Sequence, residues 1–177
     1  MKKFLYWKTC YTIFLLGLAL FYGQAITDAY SAQTSDNPEW FFHTIVDAKF
    51  VAQHLQIPMS EEVMLIDSRP EKPKYFNGHI PMAINIPDTH FDDLTGRLPT
   101  DKNTLLIFYC EGLDCKLSHK SAKKAEDSGY RNVKVYAEGF PGWMKIEGHY
   151  ASVPAEWIKK QLDDKADMVL IDSRPQK

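Results

Sequence analysis

The stretch Leu105-Leu-Ile-Phe-Tyr-Cys110-Glu-Gly-Leu-Asp-Cys115-Lys-Leu-Ser118 decides how the rest of this chain is interpreted. It opens with a continuous apolar run, which is typical of a parallel strand buried on both faces. The run ends at Cys110, a short loop follows, and Ser118 is positioned to cap a helix that runs to Gly129. Cys110 is therefore predicted to lie where a buried strand ends, the edge at which open α/β sheets bind ligands.

The surroundings predicted for Cys110 favour its ionised form. Backbone N–H groups in a loop and the positive end of a helix dipole both attract anions. A site that favours an anion favours thiolate over thiol, so we expect Cys110 to have a depressed pKa and to act as a nucleophile. The alternative is a buried cysteine that serves as a small apolar side chain. The strand–loop–helix setting favours the nucleophile.

The N-terminus has the pattern of a secretory signal over residues 1–32. Three lysines precede the apolar segment 12–22, and small residues follow it. The apolar segment is short for a membrane-spanning helix, so we expect a cleaved signal and a periplasmic or secreted protein. The alternative is an uncleaved N-terminal anchor facing the periplasm, which would be the chain's only contact with a membrane. Residues 33–43 are expected to form a linker.

Export has a consequence for the cysteines, because it places the chain in an oxidising compartment. Cys10 lies within the predicted signal, so Cys110 and Cys115 are the thiols expected in the mature protein. Charge argues against a nucleic-acid partner, since 21 Lys and Arg face 23 Asp and Glu without a basic block. The length of 177 residues suits one domain of ordinary size plus a remainder.

Other polar residues are expected at the same sheet edge as Cys110. The apolar run 63–66 ends in Asp67, and Arg69 follows in a turn. Either residue could be catalytic, but we favour a structural ion pair that braces the loops, because buried charges need partners. His79 follows Gly78 at an expected helix end, and we interpret it as tying loops together rather than as a general base. It has no partner at metal-ligand spacing, so no metal or other cofactor is expected.

Strand-like and helix-like segments alternate in about five units, which predicts a parallel sheet covered by helices on both faces. The motifs resemble the rhodanese family in their order: Leu65-Ile-Asp-Ser-Arg69, Gly78-His-Ile-Pro81, Tyr109-Cys110, Gly129-Tyr-x-Asn-Val133 and Gly139…Trp143. The resemblance covers residues 44–149. It implies a three-layer α/β/α domain with a five-stranded parallel sheet.

The resemblance also implies a chemistry for the loop. Cys110 would carry sulfane sulfur as a persulfide, as in a sulfurtransferase of the cell envelope. A small sulfur-containing anion or a thiol acceptor would be the partner, and a thiol-redox protein is a further candidate. Backbone amides of the loop would cradle the sulfur, so the implied substrate-binding residues are Glu111, Gly112, Leu113, Asp114, Cys115 and Lys116.

The loop departs from the family pattern in its charge. Typical members have a six-residue loop that begins with Cys and ends with Arg, whereas the corresponding position here is Cys115 or Leu117, depending on the end from which it is counted. Lys116 is the only cation of the loop, and it would bind an anion as a point charge rather than through a bidentate fork. The departure leaves thiosulfate uncertain as the sulfur donor.

Two other functions stay open. One is a non-catalytic sulfur- or anion-binding or thiol-redox module, and the less favoured one is a phosphatase-type anion site, for which Lys116 is a poor substitute for arginine. Cys115 is open as well. It could attack a persulfide on Cys110 and resolve it to a disulfide, which requires Cα atoms within about 7 Å. It could instead fill the place of the arginine as a small apolar side chain.

Residues 150–177 look like the start of a second domain of the same kind. Residues 153–162 match the pattern of 46–55, and residues 168–177 nearly repeat the sequence around 64–72. We expect a partial second rhodanese-like repeat, cut off after its first helix and second strand, as in a fragment or an interrupted gene. The alternative is a C-terminal extension that packs on the first domain.

Overall fold

A parallel sheet of five strands runs through the computed structural model, which describes residues 38–171. The strands are β1 (Ile45–Val46), β2 (Val63–Asp67), β3 (Ile84–Asn85), β4 (Leu105–Tyr109) and β5 (Val133–Tyr136). Their order in the sheet is β1-β5-β4-β2-β3, and each neighbouring pair is parallel. The predicted five-stranded parallel sheet is confirmed. The predicted signal and residues 33–37 of the predicted linker lie outside the described residues.

Helices α1 (Ala48–His54), α2 (Leu117–Asp127) and α3 (Gly139–Met144) cover the two faces of this sheet. A further helix, α4 (Ala155–Asp163), follows the domain and has no buried residue. 3-10 turns occupy Tyr75–Asn77, Asp88–His90 and Asp92–Arg97. β4 lies at the centre with all five residues buried. Because side chains alternate across a strand, Leu106 and Phe108 pack in one core with α2, while Ile107 and Tyr109 pack in the other with α1 and α3. The three-layer α/β/α architecture is therefore confirmed.

The register of β2 and β4 brings the ends of these two strands together. Asp67 pairs with Tyr109 in the parallel ladder, and the next residue, Ser68, donates its backbone N–H to the Tyr109 carbonyl at 2.9 Å. Ser68 and Cys110 therefore leave the sheet side by side at its carboxyl edge. This is the edge at which parallel sheets place their ligands.

The segment before β1 is fastened to α2 through His119, which is 3% exposed. The backbone N–H of Phe42 donates to Nδ1 of His119 at 2.9 Å, and the ring of Phe41 stacks on the imidazole at 4.5 Å between centroids. A ring nitrogen that accepts a hydrogen bond must be unprotonated. Burial accordingly lowers the pKa of His119 to about 4.

Acid is expected to destabilise this fold through His119. As the pH falls, the unfolded chain binds a proton near the ordinary histidine pKa of about 6.5, whereas folded His119 does so near 4. Stability present above pH 6.5 is therefore lost between about 6.5 and 4, by about 2–3 kcal/mol. Urea unfolding at pH 7 and 4.5 should show a smaller loss for His119→Gln, which keeps an acceptor but does not titrate. Equal losses in both proteins would contradict the assignment.

Residues beyond the predicted domain end still contact the domain. Trp143 Nε1 donates to the Tyr150 carbonyl at 2.9 Å, and the backbones of His79 and Ser152 exchange two hydrogen bonds at 3.1 and 2.9 Å. The packed region thus extends slightly past the predicted domain end at 149. α4 follows where the first helix of the partial repeat was predicted.

The predicted second strand of the repeat does not form in the part that the structure describes. Val169, Leu170 and Ile171 are 85%, 62% and 82% exposed and have no strand assignment. The equivalent strand β2 is held by β3 and β4, and residues 169–171 pair with no such neighbours. Residues 172–177 lie outside the described range. Among residues 38–171, we find no helix that combines the length and apolar character needed to cross a membrane.

Candidate active site

Cys110 follows β4 directly and is 1% exposed. Its carbonyl accepts a hydrogen bond from the backbone N–H of Phe140 at 2.9 Å, which ties the start of the loop to α3. Gly139 makes this approach possible, because it has φ of 62° and a Cβ built on it would overlap the Cys110 carbonyl. The backbone around the cysteine is therefore held from two sides, by the sheet and by α3.

The sulfur of Cys110 lies against the first turn of α2. The Ser118 hydroxyl donates to Cys110 Sγ at 3.2 Å, and Ser118 is fully buried. Ser118 was predicted to cap the helix, but the cap position is occupied by Lys116, two residues earlier, and α2 begins at Leu117. The Lys116 side chain makes no capping bond. The Ser118 hydroxyl is therefore not used as a helix cap and donates its hydrogen bond to Cys110 Sγ instead. A hydrogen-bond donor to sulfur favours thiolate over thiol.

Cys110 and Cys115 are paired as a disulfide, with their Cα atoms 6.3 Å apart. A turn brings them together, in which the backbone N–H of Cys115 donates to the Gly112 carbonyl at 2.9 Å. Gly112 has φ of 121°, a conformation that other residues rarely adopt. Cys110 is buried in this state and Cys115 is partly exposed. The Cys115 N–H is already hydrogen-bonded within the turn, so it is not available to bind an anion.

Glu111 anchors the loop instead of facing an anion. Its carboxylate accepts hydrogen bonds from Arg69 Nη1 at 3.2 Å and from Lys74 Nζ at 2.9 Å. Partial burial alone would raise the pKa of Glu111, but the hydrogen bonds and charges of Lys74 and Arg69 outweigh it and lower the pKa. The side chain is thus held as a carboxylate, bound to two cations beside the loop.

Asp67 and Arg69 form a buried ion pair at the end of β2, with side chains that are 0% and 2% exposed. Arg69 Nε and Nη2 donate to both Asp67 oxygens, at 2.9 and 2.6 Å, and Nη2 also donates to the Gly78 carbonyl at 2.7 Å. The guanidinium lies 4.4 Å from the centre of the Phe140 ring. Together with the bond to Glu111, these contacts make Arg69 the brace between β2, the turn at Gly78 and the Cys110 loop.

His79 ties the neighbouring turn together. Its Nδ1 lies 3.1 Å from the Tyr75 carbonyl, and the two rings stack at 3.9 Å between centroids. Burial lowers the pKa of His79, so the ring is neutral at physiological pH and can donate to that carbonyl. The contacts are those of a residue that supports the loops.

The remaining loop residues lie at the surface. Lys116 Nζ lies 5.1 Å from the centre of the Trp40 ring, so the single cation of the loop is turned towards the segment before β1. Leu113 is 58% exposed, and Asp114 is exposed beside it. Within residues 38–171, no group of three His, Cys, Asp or Glu side chains is arranged to hold a metal ion.

Three contributors to the site were not identified from the sequence. Ser118 was assigned to the helix cap, Lys74 was given no role, and Ser68 was treated as part of a turn. Ser68 Oγ is buried and has no hydrogen-bond partner in the described part of the chain. The register of β2 and β4 places Ser68 next to Cys110. The roles of Ser118 and Ser68 depend on the position of a helix start and of a strand end, which sequence patterns locate to within a few residues.

Removing the Ser118 hydroxyl is expected to make the reduced Cys110 less reactive. The thiolate would lose a charge-assisted hydrogen bond, so Ser118→Ala should slow alkylation of Cys110 at pH 7 by about five- to tenfold. Protein carrying Cys10→Ser and Cys115→Ser leaves Cys110 as the single thiol for the rate measurement. Ser121→Ala is the matched control, since Ser121 is a buried serine of the same helix that donates to Asp88. Equal rates for the two alanine variants would contradict the role of Ser118.

Comparisons with known proteins give one family model and relatives of several kinds. The model of the rhodanese-like domain matches residues 50–146. The HTH-type transcriptional regulator Rv0324 of Mycobacterium tuberculosis is 36% identical over 97 residues, which span 55% of this chain and 41% of the regulator. The rhodanese domain-containing protein CG4456 of Drosophila melanogaster is 30% identical over 52% of this chain and 91% of its own. The dual specificity phosphatase Cdc25 of Arabidopsis thaliana is 32% identical over 51% and 68%.

Solved structures share the fold. The BH2092 protein of Bacillus halodurans has a TM-score of 0.56 at 26% identity, covering 74% of this chain and 86% of that one. A thiosulfate sulfurtransferase of Pseudomonas aeruginosa has a TM-score of 0.53 at 23% identity, covering 63% of this chain and 20% of that one. The shared region is the α/β/α domain, and the chain spans less than half of the regulator and of this sulfurtransferase.

Proposed function

Because the chain belongs to the rhodanese-like domain family, we propose that it is a sulfurtransferase that carries sulfane sulfur as a persulfide on Cys110. One observation carries the proposal. Cys110 lies at the carboxyl edge of the central strand, and a buried serine hydroxyl from the first turn of α2 donates to its sulfur. This setting stabilises a thiolate, and thiolate is the form that attacks a sulfane sulfur.

The reaction has two displacement steps. The reduced Cys110 thiolate attacks the terminal sulfur of a donor, the bond between that sulfur and the rest of the donor breaks, and the remainder leaves with the electron pair. An acceptor thiolate then attacks the outer sulfur of the persulfide and releases Cys110 as a thiolate. The Ser118 hydroxyl stabilises the sulfur anion before the first step and after the second. Arg69 and Lys74 hold the loop through Glu111.

The charges of the loop bear on the donor. Glu111 and Asp114 are anionic, and the cation of Lys116 lies against Trp40. The charges of Arg69 and Lys74 are balanced by the Glu111 carboxylate with which they pair. The loop therefore offers little net positive charge to a dianion. We favour a donor of low charge, such as a monoanionic thiosulfonate or a thiol persulfide, over thiosulfate. Thiols, including those of a thiol-redox protein, are the proposed acceptors.

A phosphatase-type site is less favoured by these contacts. Phosphoryl groups are clamped by planar guanidinium forks. The guanidinium of the buried Arg69 beside the loop donates its hydrogen bonds to Asp67, Gly78 and Glu111, so it does not present a fork to a phosphoryl group. The disulfide between Cys110 and Cys115 favours a different second candidate. It is a thiol-redox module, in which the cysteine pair passes electrons to a partner but transfers no sulfur atom. Export to the periplasm or beyond, by the signal predicted at residues 1–32, remains part of the proposal.

Cyanolysis tests the proposal against both alternatives. Protein carrying Cys115→Ser, in which no disulfide can close on Cys110, would be reduced, freed of reductant and mixed with an arylthiosulfonate donor and cyanide. Thiocyanate would be measured over time. A sulfurtransferase produces thiocyanate in many turnovers, whereas a thiol-redox module produces none beyond the uncatalysed rate. Hydrolysis of an aryl phosphate without thiocyanate formation would replace the proposal with the phosphatase-type site.

A further inference from the structure

We propose that Cys115 discharges the Cys110 persulfide as hydrosulfide, closing the disulfide seen in the structure, and that external thiols reopen the site by attacking Cys115. This inference rests on the proposed function and deepens it, because it names the product and the route by which electrons enter. It follows from the asymmetric placement of the two sulfurs.

The loop already holds the two cysteines at reacting distance. Their Cα atoms are 6.3 Å apart, within the range that a disulfide needs, and the turn closed between Gly112 and Cys115 brings them there. The backbone of Cys110 is fixed by the sheet and by Phe140. A sulfur atom added to Cys110 therefore forms within reach of Cys115, and no second protein is needed for the attack.

The discharge step balances within the loop. A lone pair of the Cys115 thiolate forms the bond to Cys110 Sγ, and the bond between Sγ and the outer sulfur breaks. The outer sulfur leaves with that electron pair and a proton as hydrosulfide. The sulfane sulfur is reduced by two electrons, and the two cysteine sulfurs are oxidised to the disulfide. One turnover therefore needs only the donor and the reduced protein.

Burial decides which sulfur meets an external thiol. In the disulfide state Cys110 is 1% exposed, whereas Cys115 is partly exposed. A dithiol reductant, either a small molecule or a thiol-redox protein, therefore attacks Cys115 Sγ. Cys110 leaves as a thiolate, and the Ser118 hydroxyl stabilises that leaving group. The second thiol of the reductant then releases Cys115 and takes the disulfide onto itself.

The disulfide also closes the site to donors. A sulfur held in the disulfide is not a thiolate, so Cys110 cannot attack a donor until the pair is reduced. One cycle therefore converts a sulfane sulfur and a dithiol into hydrosulfide and a disulfide, and it loads sulfur only after reduction. In this scheme a thiol acceptor receives the sulfur only if it reacts before Cys115 does.

A single-turnover experiment on the full chain tests this inference. All proteins carry Cys10→Ser, are reduced, freed of reductant without air, and mixed with one equivalent of benzenethiosulfonate per chain. This donor releases sulfinate on loading, so sulfide reports only the second step. The protein with the intact pair should release about one equivalent of sulfide per chain and lose both free thiols. Cys115→Ser should instead gain about 32 Da and release no sulfide until a thiol is added.

The outcomes separate the inference from the proposed function. A stable gain of about 32 Da in the protein with the intact pair, with one free thiol and no sulfide, would overturn the inference and leave the persulfide intact. Failure of Cys115→Ser to load sulfur, with Cys115→Ala also unloaded and both variants folded by circular dichroism, would overturn the proposed function. Glutathione added to the oxidised protein should form its mixed disulfide on Cys115, and a mixed disulfide on Cys110 would refute the assigned direction of attack.

Discussion

Replacing Cys110 with serine is expected to reduce thiocyanate formation from an arylthiosulfonate and cyanide to the rate measured without protein. A serine hydroxyl is a poor nucleophile without a general base, and the buried position offers no such base among the contacts of the sulfur, which are Ser118 and the Cys115 carbonyl. The fold should be unchanged, because serine differs from cysteine by one atom. Steady-state cyanolysis with matched circular dichroism spectra checks both statements.

The matched control for this variant is Cys115→Ser, which removes a thiol from the same loop. It should keep the capacity to form thiocyanate, because cyanide takes the outer sulfur of the Cys110 persulfide directly. If Cys110→Ser retained activity while Cys115→Ser lost it, the nucleophile would be Cys115, and the assignment of the site would be wrong.

Replacing Arg69 with methionine is expected to lower the free energy of unfolding by about 3–5 kcal/mol, because it leaves the Asp67 carboxylate buried without its partner. The same change frees the Gly78 carbonyl and releases Glu111, so the Cys110 loop should loosen as well. Urea unfolding at pH 7 measures the stability. The loss should appear as a lower midpoint with an unchanged slope.

Two comparisons make the Arg69 prediction specific. Arg97→Met is the matched control, since Arg97 is exposed and makes one 3.3 Å hydrogen bond to the Asn85 carbonyl, so the cost should stay below about 1 kcal/mol. The double variant Asp67→Leu, Arg69→Met should be more stable than Arg69→Met alone, because it removes the unpaired charge. A loss below about 1 kcal/mol for Arg69→Met would show that the ion pair is not a brace.

The parts of this fold that follow from continuous apolar runs were predictable. β2 and β4 begin and end at the residues expected from residues 63–67 and 105–109, since a strand buried on both faces leaves an unbroken run in the sequence. Cys110 was placed correctly at the end of β4 for the same reason. The end of the loop that follows Cys110 was harder to predict. The next helix begins at Leu117, whereas a cap at Ser118 predicted a start at residue 119.

Side-chain partners within the site were harder to predict. The contact between Ser118 and Cys110 Sγ depends on the residue at which the helix begins. The bond from Lys74 to Glu111 joins residues 37 positions apart through loop conformation alone. The disulfide stayed undecided in the sequence because six residues can span many distances, and only the turn at Gly112 brings the Cα atoms to 6.3 Å. Long-range polar contacts of this kind leave no periodic pattern in the sequence from which they could be predicted.

The Cys110 loop differs from that of typical family members because it contains no arginine. Arg69 and Lys74 balance the negative charge of Glu111 beside the loop, and Lys116 lies against the Trp40 ring. These three cations therefore have partners other than an anion bound at the sulfur. A second thiol occupies the loop instead. In our account the sulfur is therefore controlled by reduction and oxidation of the pair rather than by electrostatic capture of a strongly charged donor.

The position of the transferred sulfur tests the central claim most directly. Reduced Cys115→Ser protein would be loaded with benzenethiosulfonate, alkylated and digested with trypsin, which releases residues 103–116 as one peptide because cleavage follows Lys102 and Lys116. Fragment ions of that peptide should place an added mass of about 32 Da on Cys110, and the same peptide from Cys110→Ser should carry none. A loaded Cys115 in Cys110→Ser, or a peptide without added sulfur in Cys115→Ser, would contradict the account.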